Sequence, residues 1–147
     1  FTREYETVVC GAIKEDGVVN APIGRHKTDR KKMCVTTENS REAVTHYFVL
    51  ERFAGYTHLR VRLETGRTHQ IRIHLSATGH PVMGDSKYGD FEWNKEVKKK
   101  FHLNHQFLHA YKLTFVDPIG SMSYLKGKTF TSQLPEQLEK IQKELFS

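Results

Sequence analysis

Two neighbouring stretches, residues 42–53 (EAVTHYFVLERF) and 56–64 (YTHLRVRLE), restrict the possible folds most because both are rich in β-branched and aromatic residues. Only Ala54 and Gly55 separate them, a spacing typical of a β-hairpin. In the second stretch, Thr57, Leu59, Val61 and Leu63 alternate with His58, Arg60, Arg62 and Glu64. This alternation predicts a strand with one buried face and one charged face, so the sequence predicts an antiparallel pair at this position.

Strands are predicted elsewhere in the chain as well. Residues 4–11 form a strand ended by Gly11, residues 17–24 a short extended piece, and residues 105–118 a strand stopped by Pro118. Strands therefore dominate the predicted structure, and several of them are antiparallel.

Three segments have the features of helices. From Thr68 to Ala77 the apolar residues suit a short helix, which Thr65 or Thr68 would cap and Gly79 would end. Residues 91–101 resemble a short surface helix or an insertion, and the tail from Pro135 is amphipathic. The fold class predicted for the whole chain is α+β, a mostly antiparallel mixed β-sheet with flanking helices.

The net charge of +6 and the pI of about 9.3 favour an anionic partner, and nucleic acid is the commonest large anion inside cells. The loop Gly24–Lys32 concentrates this charge and could contact phosphates, although a solvated charge run is the plain alternative. Its basic residues are Arg25, Lys27, Arg30, Lys31 and Lys32. Two cysteines without a C-x-x-C pair fit a reducing cytoplasm, and no apolar run is long enough to span a membrane.

The segment from Arg62 to Asp90, RLETGRTHQIRIHLSATGHPVMGDSKYGD, allows several kinds of site. Its histidines, His69 and His74, are five positions apart rather than four, so no metal site is predicted. It also lacks the glycines of a phosphate-binding P-loop, although Arg67 stands at a strand-to-helix junction where it could face an anion. Arg72, between two isoleucines, needs a carboxylate partner or must reach solvent.

Within this segment, LETGRTHQIRIHLSATGHPVMGDSKYG resembles the signature of the RluA-type family of RNA pseudouridine synthases. Four further pieces resemble the same family in the same order, so the resemblance covers about residues 3 to 118. These pieces are EYETVVCG, APIGRHKTDRKKMCV, REAVTHYFVLERF and FLHAYKLTFVDP. The resemblance implies that the chain is part of the pseudouridine synthase catalytic fold.

The resemblance also implies an activity, which is the isomerisation of uridine to pseudouridine in structured RNA without a metal or an organic cofactor. Ribosomal RNA is the expected substrate and transfer RNA the second choice, with the target base flipped into a pocket. Tyr5 would stack on that base and could assist proton transfer, and Arg72 would pair with the catalytic Asp. Arg67, His69 and Gln70 would hold the RNA backbone or brace the pocket.

The nucleophile of the family has no counterpart here. The family places its Asp in a His-Arg-Leu-Asp stretch upstream of the Tyr strand, and no such stretch precedes Tyr5. Residues 1–147 are therefore expected to be the C-terminal portion of a catalytic domain, inactive alone, without the Asp-bearing half and any N-terminal RNA-binding domain. The intact enzyme is expected to be a cytoplasmic monomer. Two alternatives remain, an RNA-binding module without catalysis and a small-molecule hydrolase that uses Glu64 or a histidine.

Overall fold

A computed structural model describes residues 2–29, 31–53, 55–103, 105–114, 129–131 and 133–146. Its nine strands are β1 (Thr2–Cys10), β2 (Gly17–Asn20), β3 (Ile23–Arg25), β4 (Met33–Val35), β5 (Ser40–Arg41), β6 (Val44–Phe53), β7 (Tyr56–Leu63), β8 (Leu108–Thr114) and β9 (Thr129–Thr131). Its three helices are α1 (Gln70–Ala77), α2 (Phe91–Phe101) and α3 (Glu136–Phe146). All of these counts refer to the ranges given above.

The strands form two sheets. The larger has the order β2-β6-β7-β1-β8-β9, and the smaller has the order β4-β3-β5. Neighbouring strands in both sheets run antiparallel, with β1 and β7 aligned so that Tyr5 lies opposite Val61. The α+β prediction is confirmed, and so is the predicted hairpin, which is formed by β6 and β7.

The larger sheet is covered on both faces. On one face, Ile71 and Leu75 of α1 pack against Leu59 and Val61 of β7. On the other face, α2 and α3 contribute to a second cluster, which includes Val97, Leu138 and Ile141 together with Val8 of β1. The prediction of a charged outer face on β7 is therefore wrong at His58, which is 3% exposed. The reason is that its cross-strand neighbour Val8 belongs to this second cluster.

The predicted helices are present, but α1 begins later than expected. It begins at Gln70 after a left-handed His69 with φ of 55°, and neither Thr65 nor Thr68 caps it. The Thr65 hydroxyl instead donates a hydrogen bond to the Gln70 side chain at 2.7 Å. Gly79 ends the helix as predicted, because its φ of 86° belongs to the left-handed region that glycine adopts easily.

Two boundaries differ from the sequence predictions in smaller ways. Gly24 and Arg25, assigned to the basic loop, lie in β3, so the loop begins two residues later, at His26. The late strand is β8, and Pro118, which was expected to end it, lies outside the described residues. In the described part of the chain, no helix has the length and apolar character needed to cross a membrane.

Candidate active site

Arg72 of α1 forms a bidentate ion pair with Asp85. Its Nε lies 2.7 Å from Oδ2 and its Nη2 lies 2.8 Å from Oδ1. The Asp85 side chain is fully buried and that of Arg72 is 11% exposed. Asp85 Oδ1 also accepts the backbone N–H groups of Lys87 and Tyr88, both at 3.0 Å. Asp85 of this chain thus supplies a carboxylate of the kind that Arg72 was expected to need.

Both members of this pair are charged. Burial raises the pKa of the Asp85 carboxyl, but the hydrogen bonds from Arg72 and from two backbone N–H groups outweigh burial and hold it below its ordinary value. The hydrogen bond to Asp85 in turn raises the pKa of Arg72. The remaining nitrogen, Nη1, makes no hydrogen bond with any residue that the structure describes. Arg72 therefore keeps the two N–H groups of Nη1 for a further acceptor.

Tyr88 connects Arg72 with its surroundings. Its ring lies beneath the guanidinium, with 5.1 Å between Cζ of Arg72 and the ring centroid. Its hydroxyl lies 2.9 Å from Nδ1 of His69 and accepts the backbone N–H of Met33 at 3.2 Å. Since Met33 opens β4, this single hydroxyl joins the small sheet to helix α1. The sequence analysis did not single out Tyr88, and the only available signal was its place in the motif three residues after Asp85.

His69 is held in the neutral form. Burial lowers its pKa, and the nearby charges of Arg72 and Lys87 lower it further. The Tyr88 hydroxyl accepts the Met33 N–H and lies within hydrogen-bond distance of Nδ1 of His69, with the direction of the second bond set by the His69 tautomer. His69 thus contacts Tyr88, and its two expected roles, holding the RNA backbone or bracing the pocket, stay predictions.

The burial and hydrogen bonds of the Gln70 side chain are incompatible with direct contact with RNA. Its side chain makes four hydrogen bonds, two accepted by Oε1 and two donated by Nε2, and the residue is 2% exposed. The partners are the Thr65 hydroxyl, the Arg67 N–H, the Val44 carbonyl and the Thr45 hydroxyl. An amide with these bonds has no free donor, so the expectation that Gln70 binds RNA is corrected to a bracing role.

Tyr5 lies on β1 in the middle of the larger sheet. It is half-buried and packs against the cluster that contains Ile71 and Leu75, so it shares a sheet face with α1. A cleft of about 250 Å³ opens beside the same cluster, lined by Leu63 and by Arg3, two residues before Tyr5. The structure therefore brings Tyr5 and the helix that bears Arg72 to one side of the sheet.

The basic residues predicted to bind RNA separate into two groups. Arg25 and Arg67 line one cleft, although they lie far apart in the sequence. Lys31 is exposed and Lys32 is half-buried in the loop between β3 and β4. Arg30 lies outside the described residues.

Histidines and acidic residues show no arrangement suited to a metal ion. Among the residues described, no group of three His, Cys, Asp or Glu side chains could hold one. His74 is fully buried, with its ring nitrogens 2.8 Å from the Thr45 hydroxyl and 2.8 Å from the Ala21 carbonyl. Glu64, considered above for a hydrolase, is exposed and lies 2.8 Å from His46.

Comparison with known proteins gives a consistent result. A model of the RNA pseudouridylate synthase family matches residues 1–77. Over 147 residues the chain is 37% identical to the ribosomal large subunit pseudouridine synthase D of Buchnera aphidicola, covering 95% of this chain and 45% of that protein. The chain also matches pseudouridine synthases from Pasteurella multocida and Bacillus subtilis, and the matches cover 38% and 43% of the length of those proteins. The chain thus spans less than half of the curated relatives that it matches.

Solved structures agree with the sequence comparison. Human RNA pseudouridylate synthase domain containing 1 superposes with a TM-score of 0.68 and 26% identity, covering 97% of this chain and 65% of that one. Human RNA pseudouridylate synthase domain containing 4 superposes with a TM-score of 0.72 at 23% identity. This similarity indicates only that the two chains share a fold. The family match spans more than half of the chain, and the chain belongs to the RNA pseudouridylate synthase family, in its RluA-type branch.

Proposed function

We propose that this chain supplies the tyrosine and arginine side of a pseudouridine synthase active site, and that the nucleophilic Asp comes from residues upstream of Tyr5. The observation that carries this proposal is the fixed guanidinium of Arg72, which has Nη1 to spare after binding Asp85. The length of the relatives, more than twice that of this chain, leaves room for an upstream segment.

The proposed reaction is balanced without any co-reactant. The bond between N1 of uracil and C1′ of the ribose breaks, the base turns, and a bond forms between C5 and C1′. The proton on C5 leaves and N1 gains one, so the product is an isomer of the substrate. The Asp acts at the sugar, and the protein residues orient the Asp and the base and move these protons.

In this proposal Arg72 is a positioning residue for the Asp. Its Nη1 donates to the incoming carboxylate and keeps it ionised, while Asp85 and Tyr88 prevent the guanidinium from moving. A guanidinium suits this position because its planar donors can serve two carboxylates at once, which an ammonium cannot do with the same geometry.

Tyr5 is proposed to stack on the flipped base, with its hydroxyl assisting proton transfer. Its ring is fixed by the cluster beneath it, so it offers a rigid face for stacking. Tyr5→Phe keeps that face and removes only the hydroxyl. If the hydroxyl moves a proton, we expect kcat to fall by about 10²-fold or more with little change in KM. An unchanged kcat in single-turnover kinetics would restrict Tyr5 to stacking.

The proposed partner is RNA, with ribosomal RNA first because relatives are named for the large ribosomal subunit. Arg25, Lys31, Lys32 and Arg67 are proposed to contact its phosphates, and Arg30 is assigned to them from the sequence alone. A cytoplasmic location and a monomeric intact enzyme stay predictions.

The test uses a large-subunit ribosomal RNA transcript carrying tritium at C5 of uridine, because bond formation at C5 releases that label to water. We expect no release from this chain alone and release from a longer form that includes the upstream Asp-bearing stretch. Release by the chain alone would show that the nucleophile lies within it. If the longer form binds the transcript and releases nothing, the binding-module alternative is correct instead.

A further inference from the structure

A cleft of about 400 Å³ lies between the smaller sheet and the junction of β7 and α1. Three arginines line it, Arg25 from β3, Arg41 from β5 and Arg67 from the junction. Arg41 was not among the predicted RNA-binding residues. Three arginine side chains on one cleft concentrate positive charge there, which favours an anionic ligand.

Arg67 is held in place from behind. Its Nε donates to the Glu42 carbonyl at 2.7 Å, and its backbone N–H donates to Gln70 at 3.0 Å. The rest of its guanidinium makes no ion pair or hydrogen bond with the residues that the structure describes. A cation oriented by a backbone carbonyl still has its full charge available for a ligand.

Gly24, which also lines the cleft, is closely surrounded. A Cβ at this position would lie 2.8 Å from Cγ2 of Thr36 and 3.1 Å from the carbonyl oxygens of Glu38 and Asn39. The turn that leads into β5 can therefore approach β3, and this approach brings Arg41 to the cleft beside Arg25. A larger residue at position 24 would push the two arginines apart.

Among the residues that the structure describes, no carboxylate lines the cleft, and its other polar side chains are those of Asn39 and Thr68. The acidic side chain of Glu38, in the adjoining turn, lies 3.1 Å from Lys27 instead. Arg41 is exposed and forms no ion pair within the described part of the chain. The cleft thus combines high positive charge with neutral hydrogen-bond donors, which is the chemistry that a phosphate group requires.

We propose that this cleft is a phosphodiester subsite in which Arg25, Arg41 and Arg67 hold one backbone phosphate of the RNA. The proposal rests on the proposed function, since it takes RNA to be the partner. An RNA phosphate is favoured over a free anion because the basic loop that carries Lys31 and Lys32 continues from Arg25 and would follow the backbone.

Arg41→Gln tests the cleft, and Lys143→Gln is the control. Both variants remove one exposed positive charge, but Lys143 lies on α3 and does not line the cleft. We expect Arg41→Gln to weaken binding of a ribosomal RNA transcript by about 10-fold and to reduce the slope of log K against log salt by about one. Lys143→Gln should change the affinity by less than about twofold.

A second measurement separates the RNA backbone from free phosphate. Melting temperatures in inorganic phosphate and in chloride at equal ionic strength show whether the cleft binds the free ion. Suppose that phosphate raises the melting temperature of the parent but not of Arg41→Gln, while both bind RNA with the same affinity. That result would assign the cleft to a small anion and overturn the RNA subsite. Arg25→Gln, exposed like Arg41, repeats the test if Arg41→Gln folds poorly.

The two proposals can fail separately. If the parent binds the transcript and the longer enzyme releases tritium, but Arg41→Gln and Lys143→Gln change RNA affinity equally little, only the subsite is wrong. If neither this chain nor the longer form binds RNA, the proposed function fails, and the subsite with it.

Discussion

Replacing Asp85 with alanine is expected to lower the free energy of unfolding of this chain by about 3–5 kcal/mol. The substitution leaves the Arg72 guanidinium, 11% exposed, without its bidentate partner, and two backbone N–H groups lose their acceptor. Unfolding in urea, followed by circular dichroism, measures the change directly.

Asp90→Ala is the control for this measurement. Asp90 caps α2, accepting the backbone N–H of Trp93 at 2.9 Å, and its loss should cost only about 1 kcal/mol. A loss at Asp85 no larger than at Asp90 would mean that the buried pair contributes nothing beyond an ordinary surface hydrogen bond.

The same pair makes stability depend on pH in a defined direction. Because the folded-state pKa of Asp85 is lowered, its contribution is complete above the pKa of an unfolded aspartate, about 4, and is lost as the pH falls through the lower folded value. The stability difference between the parent and Asp85→Asn should therefore narrow below about pH 4. A difference that stays constant on acidification would show that Asp85 is not ionised in the folded chain.

Replacing Arg72 with lysine in the longer enzyme is expected to lower kcat by about 10³-fold and to change RNA affinity by less than about threefold. A lysine keeps the charge but cannot bind Asp85 through two parallel hydrogen bonds and still orient a second carboxylate. Multiple-turnover kinetics at saturating RNA measure kcat, and circular dichroism at the assay temperature confirms that the variant is folded.

Arg41→Gln should give the opposite result in the same assay, with weakened RNA affinity and an unchanged kcat. Near-parental turnover of a folded Arg72→Lys enzyme would show that Arg72 serves stability alone. The comparison of these two arginines thus separates a residue that positions the nucleophile from one that holds the substrate.

Much of the fold could be predicted because its signals are local. The alternation around Thr57 and Leu59 identified β7, and Gly79 identified the end of α1. Burial of His58 could not be predicted in the same way, since it depends on Val8 and on helices that follow much later in the chain. Alternation within one strand indicates two faces but does not show what covers either of them.

The candidate site was predictable in kind but not in detail. The isoleucines beside Arg72 indicated that it needs a carboxylate, but the choice of Asp85 depends on how a turn-rich segment folds back over α1. Gln70 was assigned to RNA for a similar reason, because no sequence signal shows that its amide is enclosed by four partners. Side-chain hydrogen bonds between distant segments follow from tertiary structure.

The contacts of Arg72 also affect the entropy of the proposed reaction. An arginine side chain loses about 2 kcal/mol of rotational freedom when it is immobilised. Here Asp85 and the Tyr88 ring immobilise it as the chain folds, before any RNA arrives. The side-chain entropy of Arg72 is therefore lost once, when the chain folds, and not again with each uridine that is processed. This prior immobilisation favours fast turnover over an adaptable site.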